Sequence, residues 1–241
     1  MTQFQTLSPD THKDACINLT KAITDFTQAQ VVRLRVPEVG NAACCFPLFF
    51  TKEPQHGHWE ISALTSLTPE DNLFIDKSRW RGVYTPLAVR THPIVLTRAD
   101  GALALATTAE CFSESGQALY DHGEPTVYLR QVEQWLHEDL QGAITTQTFA
   151  QTLESLSLIK PVYVQVQRPG APVQTLDGLY TIDQDALSCL EHNTVAELQQ
   201  QGYLMAIHSL LMSLFQLNRL IQRHNERAGA NEIDKVSLQR R

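Results

Sequence analysis

The sequence predicts an α+β fold, a mostly antiparallel sheet packed by C-terminal helices. Short apolar segments separated by turns follow one another through residues 30–108, which is typical of strands joined without crossover helices. Helical spacing of apolar residues begins near residue 127, and residues 203–227 form the longest helical segment. Strand-like segments return between these helices, at residues 162–166 and 176–182.

The first predicted strands lie between residues 30 and 67. Residues 30–36 alternate between apolar and polar side chains, which predicts a half-buried strand. Residues 43–51 are continuously apolar and predict a buried strand, with Pro47 at an edge or a bulge. Further strands are expected at residues 58–67, 87–96 and 103–108, and the Asp-Gly pair at 100–101 favours a hairpin turn. Residues 1–28 are expected to form an extended arm.

The predicted helices begin at residue 127. Residues 127–140 form the first, and Thr145 or Thr146 can cap a second that ends before Pro161. Residues 194–197 fit a capping box, and Gly202 can end that short helix. The segment from 203 to about 227 is apolar nearly all round as far as residue 217, so we expect it in the core.

The domain organisation follows from length and pattern. With 241 residues the chain is long enough to build a proper core. No repeat or linker interrupts it, so we expect one domain over residues 1–228 and a frayed tail at residues 229–241.

Composition limits the classes of function. A hydrophobic content of 43% and a charged content of 19% are typical of a soluble globular protein. The net charge of −7 argues against nucleic-acid binding, which needs a concentrated basic face. The N-terminus shows no signal-peptide pattern. The apolar run at residues 203–217 contains a histidine and two serines and falls short of the ~20 residues of a membrane span. The sequence therefore predicts a cytoplasmic protein without a membrane span.

The five cysteines lack the spacing of zinc fingers or of a disulfide framework. We expect reduced and mostly buried thiols. The adjacent Cys44 and Cys45 lie in an apolar run, so core packing is favoured over redox chemistry.

No motif predicts a catalytic residue, a cofactor or a metal. The sequence lacks the dinucleotide, P-loop, nucleophile-elbow and zinc-protease signatures. His56 and His58 could share a metal only with a third ligand from elsewhere, and a surface turn is favoured. His208 is expected to be a core or interface residue. The basic side chains at positions 219, 223 and 227 are expected on an exposed helix face.

Aromatic residues beside arginines make Trp80, Tyr84 and Arg90 the candidate binding residues. Such a group offers stacking and bidentate hydrogen bonds to a carboxylate, which suits recognition of a peptide. In the alternative, Trp80 and Tyr84 pack over a sheet edge and Arg90 pairs with a buried acid. For Trp80 packing is favoured; for Arg90 both interpretations stay open.

Several segments of the chain carry a family resemblance. They are LSPDTHK at 7–13, ACCFPLFF at 43–50, NLF at 72–74, Trp80, YTP at 84–86, RTHP at 90–93, LYDHGEPT at 119–126 and LDGLY at 176–180. Together they resemble the SapC family, bacterial proteins named after an S-layer-associated gene. The most specific segments surround the candidate residues. Thr85, His92 and Tyr120 depart mildly from the family pattern.

The resemblance implies no catalytic residues. Family members tend to be encoded beside TonB-dependent receptors, halogenase-like enzymes and hydroxylase-like enzymes, which implies a peptide or a partner enzyme as the ligand. We therefore expect a non-catalytic accessory or binding protein. The alternatives are an enzyme acting on peptides or amino acids, metal-dependent through His56, His58 or His92, and a homo-oligomer subunit that uses the long helix as its interface.

Overall fold

The computed structural model describes residues 4–53, 56–97, 102–106, 111–113, 115–228 and 231–240. Its helices are α1 (Pro9–His12), α2 (Leu19–Thr24), α3 (Val39–Ala42), α4 (Leu87–Thr91), α5 (Val127–Ser155), α6 (Gln184–Ser188), α7 (His192–Gln200), α8 (Tyr203–Ser213) and α9 (Gln216–Ala228). Its strands are β1 (Phe4–Thr6), β2 (Cys16–Ile17), β3 (Val31–Leu34), β4 (Leu48–Lys52), β5 (Trp59–Leu64), β6 (Ile75–Asp76), β7 (Arg79–Trp80), β8 (Ile94–Leu96), β9 (Leu103–Ala106), β10 (Phe112–Ser113), β11 (Gln117–Ala118), β12 (Tyr120–Asp121), β13 (Glu124–Pro125), β14 (Ile159–Gln167), β15 (Gln174–Ile182) and β16 (Lys235–Arg240).

The α+β prediction is confirmed. The strand pairs of the described residues are antiparallel, and helices α6–α9 occupy most of the C-terminal quarter. The chain forms two compact units: unit 1 contains Met1–Gln28 and Phe74–Gln141, and unit 2 contains Ala29–Leu73 and Gly142–Arg241. Each unit combines two separated segments of the chain. The single domain expected over residues 1–228 stays a prediction.

A six-stranded sheet with the order β16-β14-β15-β4-β5-β3 is the centre of unit 2. Along β14 the side chains of Val162, Val164 and Val166 are buried while their neighbours are partly exposed, as the two-residue period of a strand requires. β16 pairs with β14 over six residues, from Val162–Arg240 to Gln167–Lys235. The frayed tail predicted for residues 229–241 is therefore wrong for β16, whose alternating Val236 and Leu238 allow it to join the sheet.

Short sheets and the first half of α5 build unit 1. Its sheets have the orders β1-β9-β8 and β10-β2-β11, with the two-stranded pairs β6-β7 and β12-β13. Its apolar cluster includes Ile17, Ile94, Leu105, Cys111 and Leu129. The extended arm predicted for residues 1–28 is wrong, because this segment contains two strands and two short helices. The turn predicted at residues 100–101 lies outside the described residues.

Two predicted helix starts are wrong. α5 is continuous from Val127 to Ser155, so Thr145 and Thr146 lie inside it. The Thr146 hydroxyl donates to Gly142 O at 2.7 Å and accepts from Val36 N at 2.9 Å, which explains a threonine in mid-helix without a cap. α7 begins at His192 after Glu191, so residues 194–197 form no capping box.

The long C-terminal helical segment is interrupted and partly exposed. Leu214 and Phe215 separate α8 from α9, and the side chains of Met205, Met212 and Phe215 are 76%, 63% and 69% exposed. The prediction that this segment is a core helix is wrong on that face. Tyr203–Arg227 spans 25 residues with a mean hydropathy of 1.3 in its most apolar window, a third of which is buried. It thus reaches the length and composition of a membrane span, contrary to expectation; core helices of globular proteins reach them too.

The cysteines differ from expectation. Among them only Cys111 is buried, whereas Cys44 and Cys189 are exposed. Cys44 and Cys45 follow α3 in a turn and precede β4, so their side chains do not alternate across a strand. All five are free thiols.

Candidate functional site

The candidate binding residues Trp80 and Tyr84 lie together in unit 1. Trp80 ends the β6-β7 hairpin, and its indole Nε1 donates to Tyr84 O at 2.8 Å. The indole also stacks on Phe74, with 6.1 Å between ring centroids and 25° between planes. These contacts fix the loop between Trp80 and Tyr84, so the packing role favoured for Trp80 has direct support.

Arg90 lies on a helix, although the sequence predicted a strand for residues 87–96. α4 begins after Pro86, and the Thr91 hydroxyl donates to Leu87 O at 3.0 Å. Only Ile94–Leu96 of the predicted strand is extended. Pro86 is the N-cap, where its missing N–H removes no intrahelical hydrogen bond. The apolar alternation concealed this short helix.

The guanidinium of Arg90 contacts two aromatic rings. Its Cζ lies 5.1 Å from the ring centroid of Tyr84 and 5.6 Å from that of Trp135, both within the range of cation–π attraction. Trp135 belongs to α5 and was absent from the predicted site, because no local pattern links it to residues 80–90. The structure therefore brings the three predicted residues together and adds a fourth.

The ion pairs around this cluster do not involve Arg90. Arg81 pairs with Asp76 at 2.9 Å, both about half exposed. Within the described part of the chain, no carboxylate lies in salt-bridge range of the Arg90 guanidinium. The buried acid considered as its partner is thus not found in that part.

His56 and His58 stack on each other, with 5.9 Å between ring centroids. His56 Nδ1 lies 3.0 Å from Glu53 Oε2. Both histidines are exposed at the end of the β4-β5 hairpin, as expected for a surface turn.

A group of potential metal ligands that the sequence did not indicate lies in unit 1. One ligand atom each of Asp25, His92 and Cys111 lies within 4.8 Å of the other two. His92 Nε2 is 2.6 Å from Asp25 Oδ2. These residues are far apart in sequence, so spacing could not have found them; His92 alone was considered as a ligand.

The thiol of this group is protonated at neutral pH. Burial, with the nearby negative charge of Asp25, raises the pKa of Cys111 to about 11. Burial raises the pKa of Tyr128 to about 12, and the negative charge that Cys111 carries once it ionises adds to this increase. The Tyr128 hydroxyl is buried and has no hydrogen-bond partner among the described residues. The cysteine is therefore not an activated nucleophile in this state.

A separate cleft of about 380 Å³ lies in unit 2, between residues of β3, β4, β5 and β15. Thr51, Leu64, Gln174 and Asp177 are among its lining residues. Among its described lining residues Asp177 is the one ionisable side chain, so they offer little acid–base chemistry.

The C-terminal basic residues and His208 are partly accounted for. Arg227 forms an ion pair with Asp71 and donates to Asn72 O at 3.3 Å. Arg219 donates to Gln222 at 2.7 Å, and burial lowers the pKa of Arg223. His208 is exposed on α8, so it is not a core residue; its place at an interface stays a prediction.

The comparisons with known proteins give a family match. A family model described as SapC matches residues 7–220. No curated protein and no solved structure matches the chain.

Proposed function

The chain belongs to the SapC family, and from this premise we propose that it is a non-catalytic binding protein that recognises a peptide or partner protein through a carboxylate. Trp80, Tyr84, Arg90 and Trp135 form the proposed binding site, which we call the Arg90 site.

One observation carries this proposal: the Arg90 guanidinium contacts two aromatic rings and pairs with no described carboxylate. Ring contacts orient the guanidinium plane but leave its N–H groups available to acceptors. A carboxylate can then accept two parallel hydrogen bonds in the plane of the fork. Lysine cannot reproduce this geometry.

The Arg90 site is accessible from solvent. Trp80, Tyr84 and Arg90 are each partly exposed, and the neighbouring Val83 is 98% exposed. Fixed aromatic rings beside an arginine are the residues that most often dominate binding energy at protein interfaces. A partner could therefore bury Val83 while its carboxylate reached Arg90.

Direct binding to a peptide array tests this proposal. The array would carry each peptide in two forms, one with a free C-terminal carboxylate and one with a C-terminal amide. For peptides that contain Asp or Glu, it would also carry versions with Asn or Gln in their place. We expect the free carboxylates to be preferred, and Arg90→Ala to weaken binding by about 10–100-fold, since charged hydrogen bonds contribute about 1.5–3 kcal/mol.

Two variants serve as controls. Arg90→Lys keeps the charge but not the fork, so we expect it to bind nearly as weakly as Arg90→Ala. Arg81→Ala removes an exposed arginine already paired with Asp76 and should leave binding unchanged. If folded Arg90→Ala binds every peptide as well as the wild type, the proposal is wrong.

The cellular setting is part of the proposal. We propose a cytoplasmic location and, following the family association, a halogenase-like or hydroxylase-like enzyme as the partner. Co-purification of tagged wild type and Arg90→Lys, with quantitative mass spectrometry, would test it: enzymes recovered equally with both do not use the Arg90 site.

The second candidate function is an enzyme with a metal-dependent site acting on peptides or amino acids. The arrangement of Asp25, His92 and Cys111 favours it, because these residue types are zinc ligands. Metal binding at this position does not by itself imply catalysis.

A further inference from the structure

Three segments of unit 1 converge on Asp25, His92 and Cys111. Asp25 is the C-cap of α2, His92 the C-cap of α4, and Cys111 immediately precedes β10. We propose that these three residues bind a zinc ion, and we call them the Asp25–His92–Cys111 site. This proposal goes beyond peptide recognition and does not depend on the Arg90 site.

The donor set matches the ligand preference of zinc. Thiolate sulfur, imidazole nitrogen and carboxylate oxygen are the three donors that proteins use for Zn²⁺. A soft thiolate disfavours Mg²⁺ and Ca²⁺, which take oxygen ligands. Three protein ligands leave a fourth tetrahedral position open to water or to a ligand, as in catalytic zinc sites.

The distances require only small movements. With Zn–S near 2.3 Å and Zn–N and Zn–O near 2.0–2.1 Å, tetrahedral geometry places ligand atoms about 3.3–3.5 Å apart. The three atoms already lie within 4.8 Å of one another. His92 and Asp25 are closer, at 2.6 Å, because they share a hydrogen bond. An ion would separate them by under about 1 Å and draw the sulfur inward.

The surroundings orient the ligands. Phe26 packs edge-on against the His92 ring, with 5.2 Å between centroids and 82° between planes. The Cys111 carbonyl accepts a hydrogen bond from Asn18 N at 2.8 Å, which anchors the cysteine backbone to the segment after β2. Such supporting contacts are what metal sites use to hold ligand geometry.

The solvent exposure of the three ligands and a nearby polar group also suit an ion. The side chains of His92 and Asp25 are 25% and 32% exposed, whereas Cys111 is fully buried. An ion can therefore enter from the solvent side and meet the thiol behind. Near Cys111, the buried Tyr128 hydroxyl has no hydrogen-bond partner in the described part of the chain, although the surrounding cluster is otherwise apolar. It could donate to the sulfur or to a water on the ion.

Zinc binding exchanges protons and a hydrogen bond for three bonds to the metal. Cys111 loses its thiol proton as the Zn–S bond forms, and the proton passes to solvent. In the metal-free protein the proton on His92 Nε2 makes the hydrogen bond to Asp25. On binding, this proton leaves to solvent while His92 Nδ1 takes one up, so that the neutral imidazole and the carboxylate form Zn–N and Zn–O bonds. No electron transfer is involved, so no oxidant or reductant is needed.

Cobalt titration of the full-length protein tests the site. Metal is first removed with a chelator, and Co²⁺ is then added while the thiolate-to-cobalt charge-transfer band in the near ultraviolet is recorded. We expect one equivalent to bind, with a tetrahedral visible spectrum, and one equivalent of Zn²⁺ to displace it. Absence of the band in folded wild type would overturn the proposal.

Variants assign the ligands. Cys111→Ser should abolish the charge-transfer band, and His92→Gln and Asp25→Asn should weaken binding by more than the 10–100-fold that loss of a supporting residue costs. Asp25 is near the surface, so Asp25→Asn keeps the test valid if Cys111→Ser does not fold. Unchanged affinity in both folded variants, Asp25→Asn and His92→Gln, would show that the ion binds elsewhere.

Control variants exclude the other metal-binding groups. A His56→Ala/His58→Ala variant removes the surface pair beside Glu53, and Cys44→Ala/Cys189→Ala removes the exposed thiols. Both should keep the full signal. A signal lost with either variant would assign the ion to the surface and refute the proposed site.

Discussion

The backbone N–H of Leu48 donates a hydrogen bond to Ser213 Oγ, with 3.0 Å between the two atoms. Leu48 begins β4 in the sheet of unit 2, and Ser213 ends α8. Both residues are buried, and the same hydroxyl donates to Leu210 O at 2.6 Å. One small side chain thus satisfies two buried backbone groups and joins a strand to a helix.

Loss of the Ser213 hydroxyl should therefore be costly. Ser213→Ala leaves the Leu48 N–H buried and unpaired, so we expect the free energy of unfolding to fall by about 1–3 kcal/mol. Urea denaturation monitored by circular dichroism measures it. Ser209→Ala, a partly exposed position on the same helix, should change stability by less than about 0.5 kcal/mol. Equal effects of the two changes would contradict this assignment.

The pair of Lys160 and Asp183 should stabilise unit 2. Lys160 Nζ lies 2.6 Å from Asp183 Oδ1, and Asp183 also caps α6 by accepting from the backbone N–H groups of Asp185 and Ala186. Asp183→Asn keeps a good cap but loses the charge, whereas Asp183→Ala loses both. We expect losses of about 1 kcal/mol for the asparagine and about 2 kcal/mol for the alanine. Urea denaturation of the three proteins separates the two contributions.

The same pair gives a pH dependence. The hydrogen bond from Lys160 lowers the pKa of Asp183 below its ordinary value of 3.8. The carboxylate therefore stabilises the folded state fully above that ordinary value, and this stabilisation is lost as pH falls through the lower, folded-state pKa. The stability difference between wild type and Asp183→Asn should be constant at neutral pH and shrink as the pH falls below the ordinary value of 3.8. A difference that grows on acidification would refute this account.

Gly116 should be intolerant of any side chain. Its φ is +150°, and a Cβ there would overlap the carbonyl group of Ile17 on β2. Gly116→Ala should destabilise the protein by about 2–3 kcal/mol, because backbone strain and a backbone contact add. Gly123, with φ +82° and open space around its Cβ position, is the matched control and should cost only about 1 kcal/mol on change to alanine. Thermal denaturation compares the two.

Cys111 should be the slowest cysteine to alkylate in metal-free protein. A pKa of about 11 instead of the ordinary 9.0 gives about 100-fold less thiolate at pH 8, and burial restricts access further. Iodoacetamide labelling followed by mass spectrometry should modify Cys44 and Cys189 first. Labelling of Cys111 at the rate of Cys44 would show that its segment opens readily.

The sheet of unit 2 was largely predictable, because its strands alternate or are apolar throughout. The structure places strands that overlap the segments expected at residues 30–36, 58–67, 162–166 and 176–182, and β4 covers only the second half of the segment expected at 43–51. The predicted helix start at Thr145 or Thr146 was wrong, because a threonine hydroxyl can either cap a helix or bond a carbonyl inside one. Thr146 has the chemistry of a helix cap, yet it bonds Gly142 O inside a continuous helix. Sequence alone does not distinguish these two bonds.

The candidate sites were predictable only in part. Trp80, Tyr84 and Arg90 are close in sequence, so their proximity followed from a short turn and helix. Trp135 and the Asp25–His92–Cys111 site depend on contacts between segments that are distant in the chain. Pairing of β2 with β10 brings Cys111 near α2, and no local signal predicts that pairing.

The three tryptophans are divided between the two units, so intrinsic tryptophan fluorescence can report binding at the Arg90 site. Trp80 and Trp135 lie at the Arg90 site, whereas Trp59 contacts Lys52 and Tyr180 in unit 2. Indole emission shifts with local charge and polarity, so a carboxylate drawn to Arg90 would alter the fluorescence of two indoles. A Trp59→Phe protein would remove the background emission, and unlabelled ligands could then be screened by their effect on the emission spectrum.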